Sequence, residues 1–215
     1  MSRDEKKTRA KEIAPHIYGN AIYPKDSEAR GTWFATNGNL IFTLLNRYDA
    51  ITHNTNQSRG KIILSLLSAN SIKEACNTFQ ALLLHEYAPF TLLIIDANET
   101  IRHDWNGKQN TQTRLENSTW QHVTSSSWRQ EEVLPWREEK FVSWVGKEAA
   151  ILPNNIPTFH LYTEDNKATH SPLMTRKHSE TRSIIQAYSD KETTHVNYWP
   201  ERHKFNAAPD VQLIL

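Results

Sequence analysis

At 215 residues, with 38% apolar side chains and seven tryptophans, the chain is long enough to bury a substantial core and too apolar to be disordered. A net charge of +1, with both signs mixed along the chain, removes the electrostatic basis for binding nucleic acid or an anionic membrane. The single cysteine, Cys76, excludes a disulfide framework, and the ten histidines show no His-x-x-x-His or His-Glu-x-x-His spacing, so no metal or cofactor is expected.

The first fifteen residues are charged from Arg3 to Glu12 and hold no apolar stretch, which predicts no signal peptide. No run approaches the ~18 apolar residues of a membrane span, so a cytoplasmic protein is expected. Trp33-Phe34 and Leu40–Leu45 flank Thr36-Asn37-Gly38-Asn39. Asn-Gly between two such runs is a strong hairpin signal, because a type I′ turn needs positive φ at both central residues. Strands are predicted near 31–36 and 39–46, the second ending on Asn46. Ser58 is placed to cap a helix reaching about Ser68, with Ile62, Ile63, Leu66 and Leu67 on one stripe. Ser71 and Glu74 form a capping box for a second helix, where Ile72, Ala75, Cys76, Phe79, Leu82 and Leu83 recur at helical spacing. Cys76 within that stripe reads as a small buried hydrophobe rather than a reactive thiol.

Pro89 closes this helical pair, and Phe90–Ile95 is a continuous apolar strand followed by a turn at Asp96-Ala97-Asn98. Ile101–Trp105 is its predicted hairpin partner, with a second turn signal at Asn106-Gly107. Gln121–Thr124 reads as a further strand leading to Ser125-Ser126-Ser127. Ser127 with Gln130 suggests a capping box for a helix toward Val145, which Pro135 is expected to kink or restart. Trp120, Trp128, Trp136 and Trp144 recur every eight residues, but their neighbours do not repeat, so the spacing marks no repeat architecture. Residues 153–169 have loop composition. Strands at Thr181–Tyr188 and Thr193–Trp199 follow, joined by Ser189-Asp190-Lys191-Glu192, and the polar tail from Pro200 reads as peripheral. Strands toward both ends with helices between them imply an α+β fold, in one domain over 1–215.

Six landmarks stand in order: Ser2-Arg3-Asp4-Glu5, Gly31-Thr32-Trp33, Asn37-Gly38 leading into Leu44-Leu45-Asn46-Arg47-Tyr48, Tyr87-Ala88-Pro89-Phe90, Thr124-Ser125-Ser126-Ser127, and Thr181-x-Ser183. From Ser2 to about Pro200 they resemble the NRDE family, the Transport and Golgi organisation protein 2-like proteins, with Ser2 in place of the signature asparagine. The resemblance implies a four-layer αββα sandwich like that of N-terminal-nucleophile hydrolases. It implies catalytic positions at Arg3, Asp4 and Asn46, lining one pocket, and binding positions at Trp33, Ser125, Thr181 and Ser183. With that fold come two facing antiparallel sheets that bury Trp33, Leu44, Leu92, Ile94 and Ile184.

Such hydrolases use an N-terminal nucleophile, usually Cys, whose own α-amino group is the base. Most family members carry a Met-Cys strand ahead of the signature, and this chain starts on the signature. The nucleophile is therefore expected to be missing from the chain as written, and amide hydrolysis is not expected of it. Ser2, at a signature position, is not read as a nucleophile, and Cys76, inside a helix, has no α-amino base. Ordinary readings stand beside each site: a solvated Arg3–Asp4 pair worth ~0–1 kcal/mol, a turn-forming Asn46, a helix cap at Ser125–Ser127, and Thr181 and Ser183 as common strand residues sharing a face. Two functions stay open. One is an N-terminal-nucleophile-type amidohydrolase that has lost its first strand; the other is a non-catalytic module that handles haem or lipid, as the resemblance to the family's eukaryotic branch implies. A small molecule is the expected partner in either case.

Overall fold

Asn37-Gly38 closes a hairpin, as the sequence predicts, but the two residues serve differently from the expectation. Only Gly38 takes a positive φ, +87°. Asn37 works through its side chain: Oδ1 accepts from Leu40 N at 2.9 Å, while Nδ2 donates to Leu67 O at 3.0 Å and Ala69 O at 2.7 Å. The computed structural model describes residues 1–49, 55, 57–116, 120–147, 155–190, 193–200 and 208–215. They divide into a middle unit, Lys11–Gln130 with Leu215, and a terminal unit, Met1–Ala10 with Glu131–Ile214.

The elements through the middle of the chain are β1 (Ser2–Lys6), β2 (Ile13–Tyr18), β3 (Ala21–Lys25), β4 (Phe34–Thr36), β5 (Ile41–Asn46), α1 (Gly60–Leu66), α2 (Ile72–Gln80), β6 (Phe90–Ile95), β7 (Glu99–Trp105) and β8 (Asn110–Glu116). After them come α3 (Gln130–Lys147), α4 (Ile156–His160), β9 (Ser179–Asp190), β10 (Thr193–Trp199) and β11 (Val211–Ile214). Among the described residues the strands form two antiparallel sheets, and the class is α+β.

In the middle unit, β2 to β8 follow one another across a seven-stranded meander. Side chains alternate along β5, so Phe42 and Leu44 are buried and meet Leu92 and Ile94 of β6. Ile62, Ile63 and Leu66 of α1 and Ala75 and Phe79 of α2 complete this core. Each such Ile, Leu or Phe side chain contributes about 1.5–3 kcal/mol through burial. Ser71 caps α2 by accepting from Glu74 N, and the Glu74 carboxylate reaches back to Asn70 N at 2.8 Å rather than to Ser71 N. Ser58 does not cap α1 with its side chain; Arg59 precedes the helix, which starts at Gly60. The start is steric: a Cβ on Gly60 would stand 2.7 Å from Thr32 N, and one on Gly31 would stand 2.6 Å from the Gly60 carbonyl carbon. Thr32 N donates to Gly60 O across this crossing at 3.1 Å. The glycine of Gly31-Thr32-Trp33 is there for backbone contact.

Several expectations are corrected. β2, β3 and β8 lie where no strand was predicted, whereas Gln121–Thr124 makes no ladder. Ser126, not Ser127, closes the turn before α3, donating to Trp128 O at 2.6 Å and accepting from Trp128 N. Pro135 neither stops nor restarts α3, which runs through it to Lys147. Trp33 is half-buried, while Leu44, Leu92, Ile94 and Ile184 are buried as expected. Residues 155–169 hold α4 within the predicted loop; Pro153 and Asn154 of that loop, and Lys191 and Glu192 of the last hairpin turn, lie outside the described residues.

The terminal unit holds a four-stranded sheet in the order β1-β9-β10-β11. The first and last strands thus join from opposite ends of the chain, and β11, in the tail read as peripheral, pairs with β10 from His195↔Ile214 to Tyr198↔Val211. β1 lies against β9 with Ser2 opposite Ile184, Arg3 opposite Ser183 and Asp4 opposite Thr181, and its register shifts between Arg3 and Asp4. Ile184, Ile185, Val196 and Tyr198 are buried on these strands. Phe141 and Trp144 of α3 pack on Phe159 of α4, with ring centroids 5.3 and 5.6 Å apart.

Candidate functional site

The signature acid is drawn inward by the strand opposite. Thr181, fully buried on β9, donates from Oγ1 to Asp4 Oδ1 at 2.7 Å and accepts from Met174 N at 2.9 Å. Asp4 Oδ2 stands 3.7 Å from Arg137 Nη2. Arg137 comes from α3, where Val133 and Phe141, one turn to either side, are also buried. Its guanidinium donates from Nε to His170 O at 2.7 Å and from Nη2 to Ser171 O at 3.1 Å. Burial lowers the Arg137 pKa, and the Asp4 carboxylate opposes that shift. Arg3 turns elsewhere, with Nη2 3.2 Å from the Glu5 carboxylate, which also receives Arg9 at 3.5 Å. Ser183, opposite Arg3, is buried.

Arg3, Asp4, Thr181 and Ser183 are therefore brought together on β1 and β9. Beside any contact between the two, Arg3 pairs with Glu5, and Asp4 engages Thr181 and Arg137. Arg137 was not predicted as part of this network. Its position on the Val133–Phe141 stripe was the available signal, because a charge on a buried helix face needs a buried counter-charge.

A second group forms in the middle unit where β5 ends. Asn46 donates from Nδ2 to Tyr48 Oη at 3.1 Å. The Pro89 carbonyl, just before β6, accepts from Arg47 N at 3.1 Å and from Arg59 Nη1 at 2.9 Å. Arg47 pairs with Asp49 and lies 3.5 Å from Asp104, which also binds Arg102 at 2.7 Å and Thr91 Oγ1 at 2.6 Å. The hydrogen bond from Arg47 holds the Asp49 carboxyl below the usual carboxylate range. Arg59 differs from Arg47. Its pKa is lowered by burial, with Tyr48 opposing, and among the described residues it has no carboxylate partner.

Trp33 is half-buried beside this sheet, its carbonyl accepting from Leu44 N at 2.9 Å, and Ser125 is half-buried in the segment between β8 and α3. Cys76 is buried, with Sγ 3.7 Å from Nε2 of His103, whose Nδ1 lies 3.1 Å from Asn110 Nδ2. Burial pushes the thiol pKa up and the imidazole pKa down, which suits a packed polar contact and not a thiolate. No cluster of three or more His, Cys, Asp or Glu groups suited to a metal occurs among the described residues. No described helix is long and apolar enough to cross a membrane.

A family model described as Transport and Golgi organisation 2 matches residues 1–199. The chain belongs to the Transport and Golgi organisation 2 family. A search of curated proteins gave no match. In this member of the Transport and Golgi organisation 2 family, the signature acid Asp4 is tied to Thr181 and Arg137, and Asn46 to Tyr48.

Proposed function

We propose that the chain binds a small organic anion at the end of β5, through Arg59, Tyr48 and Asn46. The observation that carries this reading is the state of Arg59. Its side chain is half-buried, and its one described side-chain hydrogen bond is to a carbonyl, Pro89 O at 2.9 Å. A desolvated cation without a counter-ion is costly, and a ligand carboxylate or phosphate would offset that cost through a bidentate contact. Tyr48, 47% exposed, supplies a hydroxyl whose charge acts on Arg59, and Asn46 donates to that hydroxyl. Haem and lipids, the ligands suggested by resemblance, share this chemistry: an apolar body that ends in an acid group.

The finer parts of the resemblance belong to the same proposal. They are a four-layer αββα sandwich in one domain over 1–215, a cytoplasmic location, catalytic roles at Arg3, Asp4 and Asn46, and binding roles at Trp33, Ser125, Thr181 and Ser183. Two antiparallel sheets with helices in an α+β chain support the sandwich. The amidohydrolase reading rests on likeness of fold. Against a catalytic Asp4 stands its engagement with Arg137 and Thr181, an arrangement that suits a structural anchor.

The test is titration of the chain with dodecanoate, its methyl ester and haem, followed by tryptophan fluorescence. Dodecanoate and haem are expected to bind and the ester to bind at least tenfold more weakly. Arg59→Gln should remove that preference for the acid. Equal affinity of wild type and Arg59→Gln for dodecanoate would overturn the reading.

A further inference from the structure

Ser2 and His160 lie 158 positions apart, yet Ser2 Oγ is 2.7 Å from His160 Nδ1. That separation is within the range of a serine and its general base. Both residues are fixed. Ser2 sits on β1 opposite Ile184, and the preceding residue is held on both sides: Met1 N donates to Ile185 O at 2.6 Å and Met1 O accepts from Ile185 N at 2.9 Å. His160 is the last residue of α4, whose Phe159 packs against Phe141.

His160 also lines a cavity of about 90 Å³, with Met1, Ile156, Pro157, Ile184 and Gln186 among its walls. At roughly 30 Å³ for each water-sized group, this space takes about three heavy atoms. The lining is mostly apolar. Gln186 adds a carboxamide to this wall, its Oε1 accepting from Asn197 Nδ2 at 3.1 Å.

We infer that Ser2 and His160 form a nucleophile–base pair that takes an acetyl-sized acyl group from an activated ester. As Ser2 Oγ bonds to the ester carbonyl carbon, its proton passes to His160 Nδ1. The carbon–oxygen bond to the leaving group breaks, and that oxygen takes the proton from Nδ1. A water then gives a proton to Nδ1 as its oxygen bonds to the acyl carbon, the bond from that carbon to Ser2 Oγ breaks, and Oγ takes the proton from Nδ1, releasing a carboxylic acid and restoring the Ser2 hydroxyl. His160 is the base, so the step needs no α-amino group. This differs from the N-terminal-nucleophile scheme and does not depend on anion binding at Arg59.

The full chain is incubated with p-nitrophenyl acetate and, separately, with a fluorophosphonate, and the adducts are located by peptide mass. Wild type should carry one adduct, on Ser2, and hydrolyse the acetate faster than the decanoate ester. Ser2→Ala should lose the adduct. His160→Gln should slow acylation about 100-fold. A folded wild-type chain with Ser2 unmodified overturns the inference, as does modification that His160→Gln leaves unchanged. The wild-type result decides alone if either variant fails to fold.

Discussion

Asp4 shows how one side chain can hold a unit together from the end of the chain. Its carboxylate faces Arg137, whose side chain is only 6% exposed, so removing the acid would leave a buried cation without its counter-charge. Asp4→Asn is expected to cost about 3 kcal/mol and to lower the melting temperature by roughly 6 °C or more. Thr181→Val should cost about 1–3 kcal/mol, because Met174 N then loses its buried acceptor. Thermal melts of the two single variants and the double variant check this, and the double should lose less than the sum, as expected of contacting groups. His103 gives a prediction with a pH sign. Burial lowers its folded pKa, so below about 6.5 the unfolded chain binds a proton that the folded chain refuses. Its share of stability is complete above the unfolded value and falls as pH drops below it. Melting temperature should therefore decline from pH 7.5 to 5.5, with a shallower slope in His103→Gln whatever that variant's absolute stability.

The elements divide by whether their signal is local. β6 and β10 are contiguous runs rich in apolar, aromatic and β-branched residues that end at turn formers, so their positions read directly from the sequence, whereas β7, expected from Ile101, starts at Glu99. β8 has no such pattern: Asn110–Glu116 is polar and mostly exposed, and only its ladder to β7 makes it a strand. β1, Ser2–Lys6, is likewise charged and becomes a strand because β9 offers it an edge. The same limit applies to the sites. Asp4 and Thr181 were legible because motifs mark them, but Arg59 and His160 carry no periodicity and acquire partners only when distant segments meet. Pro135 was legible as a defect but not as a tolerated one. It lies on the exposed side of α3, and the surrounding helix packs through Val133, Arg137 and Phe141. Pro135→Ala is expected to stabilise the chain, by up to about 3 kcal/mol, and denaturant unfolding will measure the gain. Gly60→Ala should do the opposite, losing about 1–3 kcal/mol because its Cβ would meet Thr32 N at 2.7 Å.

At the scale of the whole molecule, the α+β class follows from strand runs on both sides of a helical pair, and the described structure agrees. The division of strands between two sheets could not be read in the same way, since β1 and β2 are near neighbours in sequence but belong to different sheets. One feature, β1 paired with β9, bears on how the chain is made. Residues 2–6 are made well before their partners at 179–190. At about 5–20 residues per second the signature strand waits roughly ten seconds or more for its edge, while Lys11–Gln130 already holds every strand of its own sheet. The middle unit can thus complete its ladder on the nascent chain, whereas the terminal unit closes only once β9 has been made. Until β9 is made this strand has no partner edge, and the charges of Arg3, Asp4, Glu5 and Lys6 disfavour its pairing with a wrong one.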